Sequence, residues 1–148
     1  MLDMSKLNNL LPKSLDDIIR KNRHLCSLRL SAHAELDALP SMITLINNQR
    51  QVRATISDWR FICWIRPQEV GGPVHFIVGI NETRQRALMT SDVRAADLQK
   101  GLVLTKNSLY RLGCKGNGEP DVRMLLHICA TLHAWGHGEF MGVPHVFY

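Results

Sequence analysis

Apolar and polar positions alternate with a period of two along most of Val52–Asn81, in two runs separated by Gly71 and Gly72. Runs rich in β-branched and aromatic residues about a Gly-Gly turn predict a β-hairpin. In the first run, alternation places Trp59, Phe61, Cys63 and Ile65 on one face and Arg60, Ile62, Trp64 and Arg66 on the other. Arg53, near the start of this strand, falls on the face opposite to Arg66. The second run sends Val74, Phe76, Val78 and Ile80 one way, and His75, Ile77 and Gly79 the other. Both faces carry apolar side chains, as in a strand covered on two sides.

The flanking segments have different periods. Residues 1–49 read as mainly helical, with Leu7, Leu10 and Leu11 on one helical face and Pro12 ending that turn. Ser14 opens a capping pattern with Asp16 and Asp17 in the first turn and Ile18 and Ile19 on the buried side. Leu25–Leu30 alternates as a short strand, Ser31 caps a second helix running to Leu39, and Met42–Ile46 forms a last turn.

Beyond the hairpin, Arg84–Met89 reads as a third strand and Thr90–Asp92 as a turn. Asp92–Lys100 is polar enough for a loop or one helical turn. Leu102–Thr105 and Leu109–Leu112 form a second hairpin about Lys106-Asn107-Ser108, with Asn107 suited to a positive φ. Gly113–Gly118 is a flexible connector. Pro120 and Asp121 then start a helix whose stripe is Val122, Leu125, Leu126, Cys129 and Leu132, and Gly136 stops it. Met124, Ile128, Thr131 and Ala134 on its other side are hardly polar, so this helix is expected to be buried on both sides. The tail is apolar enough to dock.

The expected architecture is therefore a single α+β domain over residues 1–148. It has N-terminal helices (1–49), a curved antiparallel sheet or small partial barrel of 4–6 strands (50–113), a buried C-terminal helix (119–136) and a docked tail (137–148).

Composition changes this picture in one respect. The apolar fraction of 45% and charged fraction of 21% are those of an ordinary globular chain. The net charge of +5, however, is concentrated. Residues 50–123 hold twelve bases, nine of them arginine, against seven acids. Arg53, Arg60, Trp64, Arg66, Arg84, Arg86 and Arg111 are the candidate nucleic-acid-binding residues, because arginine beside an aromatic ring grips phosphates and stacks on bases. The competing reading makes Trp64 part of the core and pairs these arginines with Glu69, Glu82, Asp92 and Asp97.

No apolar run spans a bilayer and the N-terminus lacks the pattern of a secretory signal, so no membrane partner is expected. Four widely spaced cysteines point to a reduced, cytoplasmic chain. His127, His133, His137 and His145 gather late in the sequence. His133 and His137 have the spacing of a metal pair, but Gly136 breaks the helix between them. Cys129 near His133 reads as core rather than nucleophile. No metal, cofactor or catalytic residue is assigned.

Function is read as that of a non-catalytic binding protein. The first version engages a protein partner, or a second copy in a homodimer, through Met124, Ile128, Thr131, Trp135, Phe140, Phe147 and Tyr148. The second engages nucleic acid through the arginine face. A metal-dependent or Cys/His enzyme ranks last.

Overall fold

The computed structural model describes residues 10–40 and 51–145. The expected turn at Met42–Ile46, Leu7 of the first helical face, and Val146, Phe147 and Tyr148 lie outside them. The described elements are β1 (Ser27–Leu30), α1 (His33–Asp37), β2 (Val52–Ile65), a 3-10 turn (Gln68–Val70), β3 (Val74–Asn81), β4 (Arg86–Met89), β5 (Val93–Asp97), β6 (Leu102–Thr105), β7 (Leu109–Leu112), α2 (Val122–Ala134) and α3 (Gly138–Met141).

Strand β2 organises the sheet. Fourteen residues dense in Val, Ile, Phe and Trp let it hold partners on both sides. Its second half pairs antiparallel with β3, with Ile62 opposite Phe76 and Trp64 opposite Val74. The same half pairs antiparallel with β1 on its other edge, where Leu28 lies opposite Trp64. Its first half pairs with β7 in parallel, Ala54 opposite Tyr110. The order is β4-β3-β2-β7-β6-β5, with β1 off this path on β2.

The sheet thus has seven strands and is mixed and open, not an antiparallel sheet or partial barrel of four to six strands. Two differences account for this. Val93-Arg-Ala-Ala-Asp, expected to be loop, is strand β5, where Val93 and Ala95 are buried and Arg94 is exposed. The parallel pairing of β2 with β7 follows from how the second hairpin returns to the first, which side-chain periodicity does not encode.

One face of the sheet carries the larger core. Leu28, Ile62, Trp64, Phe76, Val78 and Met89 meet Met124, Leu125, Ile128, Cys129 and Leu132 of α2, with Leu15, Ile18 and Ile19. The other face gathers Ile56, Phe61, Ile77, Val93, Val103 and Tyr110.

Helix α2 is not buried on both sides. Five of its thirteen residues are buried, and Val122, Arg123 and Ala134 are exposed. The buried stripe is also rotated from the one expected, with Met124 and Ile128 inside and Val122 half exposed at 50%. Thr131, His127 and His133 flank this stripe and tolerate water, so one face suffices to hold the helix. Asp121 caps it, accepting a bond from the Met124 amide at 3.0 Å.

Among the described residues, 11–32 hold turns and a strand rather than the expected helix. Ser14 closes a turn, its Oγ accepting from the Asp17 amide at 3.3 Å, and only the five residues of α1 follow as a described α-helix. Ser31 does not cap α1, whose N-cap is Ala32. Asn107 does not take a positive φ; the β6–β7 turn is closed by Thr105 Oγ1, which accepts from the Ser108 amide at 3.2 Å. Of the tail residues expected to be buried by docking, Phe140 is 55% exposed, and Val146, Phe147 and Tyr148 lie outside the described residues. Met141 and Val143 are buried, and the Met141 carbonyl accepts from the amides of Arg20 and Lys21 at 2.8 and 2.9 Å.

Candidate functional site

A β-bulge in β2 determines which arginines share a face. Pairing with β3 slips between Ser57 and Arg60, so Asp58 and Trp59 together face the single residue Gly79. Asp58 takes φ 51°, a left-handed conformation that aspartate tolerates. One extra residue inverts the alternation. Ala54 and Ile56, before the bulge, pack with Trp59 and Phe61, after it. Arg53 therefore shares a face with Trp64 and Arg66, contrary to uninterrupted alternation.

Arg53 and Arg66, from the two ends of β2, line a single cleft of ≈ 550 Å³. A flat strand would hold those ends about 40 Å apart at 3.3 Å per residue, so β2 must curl strongly about its bulge. Trp64, Phe76, Tyr110 and Trp135 give the cleft aromatic walls, and Lys106 of the β6–β7 turn adds a third cation. Phe76 and Trp135 are 5.3 Å apart between ring centroids. Trp64 is only 4% exposed, and its indole Nε1 has no hydrogen-bond partner.

The charges around this cleft do not cancel. Arg53 donates to Ser108 Oγ at 3.2 Å, and Arg66 donates to the Gly72 carbonyl at 2.8 Å while lying 5.2 Å from the centre of the Trp64 ring. Asp92 also lines the cleft, but Arg94 holds its carboxylate at 2.8 Å. Among the described residues, Arg53, Arg66 and Lys106 form no ion pair. Nor do Arg84, Arg86 and Arg111, which are exposed but line no part of this cleft.

Arg60 has a different task. Its guanidinium donates to the carbonyls of Gly118 at 2.7 Å and Asn117 at 2.8 Å, and meets the Asp58 carboxylate at 3.1 Å. Gly116 lies against it, where a Cβ would come 2.5 Å from Nη1. Arg60 thus clamps the Gly113–Gly118 connector to the bulge, and the connector is pinned there rather than hanging free.

The expected contact residues separate in space. Met124 and Ile128 are wholly buried beneath α2 in the chain's own core. Thr131 and Trp135 line the cleft, and Phe140 stands 55% exposed on α3. The late histidines do not converge as a group of four. His133 Nε2 bonds the Val143 carbonyl at 2.9 Å, the His133 and His145 rings stack at 3.6 Å, and His137 packs edge-on against Trp64 at 5.0 Å.

A second polar cluster, formed across elements and absent from the sequence reading, lies on the other face. Cys63 of β2 stands opposite His75 of β3, and α1 brings Glu35 over both. Glu35 Oε2 is 3.9 Å from Cys63 Sγ and 3.9 Å from His75 Nε2. Arg29 grips both carboxylate oxygens at 2.7 and 3.0 Å, and the Ala32 amide donates to Oε1 at 2.7 Å. These bonds, the arginine's foremost, hold the Glu35 carboxyl down to about 2. His75 Nδ1 is hydrogen-bonded to Ser31 Oγ at 2.7 Å. Burial lowers the His75 pKa and raises that of Cys63. Among the described residues this is the one group of His, Cys, Asp and Glu side chains placed to share a metal ion.

Burial also pushes the Cys129 thiol up to about 12, whereas Cys114 is exposed on the connector. A charged thiol reagent at neutral pH should therefore modify the folded chain once, at Cys114, and all four cysteines in denaturant. Mass spectrometry of the labelled chain checks this; early labelling of Cys129 would contradict the packing of α2.

No helix among the described residues is long and apolar enough to cross a membrane. No family model, no curated protein and no solved structure matches the chain.

Proposed function

We propose that this is a binding protein whose cleft holds single-stranded nucleic acid. The observation that carries the reading is the set of three cations, Arg53, Arg66 and Lys106, without carboxylate partners around aromatic walls. Phosphates bind the cations, and a base stacks on Trp135, the wall that is 40% exposed. Trp64 is too buried to stack and instead supports the Arg66 guanidinium from below.

Salt dependence tests this directly. For a single strand, log K falls with log salt at about −0.7 per phosphate contacted, so three contacts give a slope of about −2. Fluorescence anisotropy of a labelled oligonucleotide, titrated at several salt concentrations, measures it. Arg53→Ala and Lys106→Ala, both at exposed positions, should each reduce the slope by about 0.7. Trp135→Ala should weaken binding by about 1–3 kcal/mol and leave the slope unchanged. Absence of any complex at low salt would end this reading.

A second reading, self-association, is favoured by the exposure of Val70, Trp135 and Phe140 (59%, 40% and 55%). Apolar association does not weaken as salt rises. Light scattering that finds a monomer at high concentration removes it.

A further inference from the structure

We propose that Glu35, Cys63 and His75 bind one zinc-class divalent ion, with a fourth position left for water or a ligand atom. This site lies on the opposite sheet face from the cleft and does not rest on the nucleic-acid reading.

The geometry is close to what such an ion requires. Tetrahedral zinc with bonds of about 2.0–2.3 Å sets its ligand atoms about 3.3–3.8 Å apart. Sγ and Nε2 each lie 3.9 Å from Oε2, and all three atoms fall within 4.8 Å of one another. Side-chain adjustments of less than about an ångström bring them to a common centre.

The donor set names the metal class. One thiolate, one imidazole and one carboxylate suit zinc and its neighbours, whereas calcium and magnesium take oxygen alone. Thiolate and carboxylate supply two negative charges, the second shared with Arg29. Binding replaces the Cys63 thiol proton, which leaves to the buffer.

The surrounding bonds orient all but the sulfur. Ser31 at Nδ1 leaves Nε2 as the nitrogen facing Glu35 and Cys63. Oε1 already accepts from Arg29 and Ala32, while Oε2 accepts only from Arg29 at 3.0 Å, apart from the distant thiol. A carboxylate offers about four lone-pair sites, so Oε2 keeps one for a metal. Cys63 is placed by the strand register itself, opposite His75.

The test uses the full chain stripped with chelator, then titrated with zinc alone and separately with cobalt(II). One equivalent of either ion should bind and raise the melting temperature. The cobalt complex should show a thiolate-to-metal charge-transfer band and the strong visible bands of a four-coordinate ion. A Cys114→Ser background removes the exposed thiol. Cys63→Ser and His75→Gln should each weaken binding about a hundredfold or more, and Ser31→Ala about tenfold. His145→Gln should leave it unchanged. The proposal is overturned by absence of stoichiometric binding, by a cobalt spectrum without the thiolate band, or by binding that persists in a folded Cys63→Ser chain. Should a substituted chain fail to fold, the cobalt spectrum of the Cys114→Ser chain decides.

Discussion

Gly79→Ala is expected to destabilise the fold by about 3 kcal/mol, at the upper end of what forced overpacking costs. A Cβ at position 79 would stand 2.5 Å from Ile56 Cγ2, 2.7 Å from the Ser57 carbonyl oxygen and 3.1 Å from Trp59 Cα. The isoleucine methyl can swing away, but two of these atoms are backbone of the bulged strand. Relief therefore requires the bulge to move. Because the bulge sets which side chains share a face, the shift should also separate Arg53 from Arg66 and weaken oligonucleotide binding. Chemical denaturation measures the first effect and anisotropy the second. A chain as stable as the parent would mean that β2 and β3 pass each other with more room than the distances imply.

Arg60→Ala is expected to cost about 2–4 kcal/mol, since hydrogen bonds from a charged donor contribute about 1.5–3 kcal/mol each. It removes two bonds to the connector and leaves the Asp58 carboxylate without its cation. Unlike Arg53→Ala, it should leave the salt slope of binding unaltered, because the guanidinium is spent on backbone carbonyls. Denaturation midpoints and salt titrations on the same preparation separate the two roles. A reduced slope with unchanged stability would place Arg60 in the nucleic-acid contact after all.

These two substitutions mark where the sequence is legible and where it is not. The central hairpin and its facing residues follow from alternation, since Ile62, Trp64, Phe76 and Val78 do share one core. The second hairpin forms where its two apolar runs place it, but its turn is closed by Thr105 and Ser108 rather than by Asn107 at positive φ. Strand β5 escapes because Ala95 and Ala96 have weak strand preference, and its pattern shows only once Val93 and Ala95 are seen buried. The parallel seam between β2 and β7 escapes because pairing direction leaves no mark on periodicity.

The cleft was half visible. Arg53, Trp64 and Arg66 stand out by composition, yet counting residues puts Arg53 on the wrong side. The signal was an aspartate interrupting an apolar strand with a glycine in the facing one, the usual companions of a bulge. The sulfur-imidazole pair could have been found from the hairpin, since a histidine within an apolar strand faces a cysteine across it. Glu35 could not, because its approach depends on how α1 folds back across the sheet. For α2, the lack of charge over-predicted cover: threonine, alanine and histidine are content at a wet boundary.

The seam between β2 and β7 also orders the events of folding. Four strands intervene in sequence between the partners Ala54 and Tyr110, so closing them together forfeits about 1–2 kcal/mol more chain entropy than zipping β2 onto β3. The two hairpins can nucleate separately, each from its own turn, and the first half of β2 waits unpaired along that edge until the second hairpin arrives. Arg53 sits in that waiting half. In that order of pairing the two ends of β2 meet across the cleft at the last step, and a chain halted before it carries the same charge without the place that concentrates it.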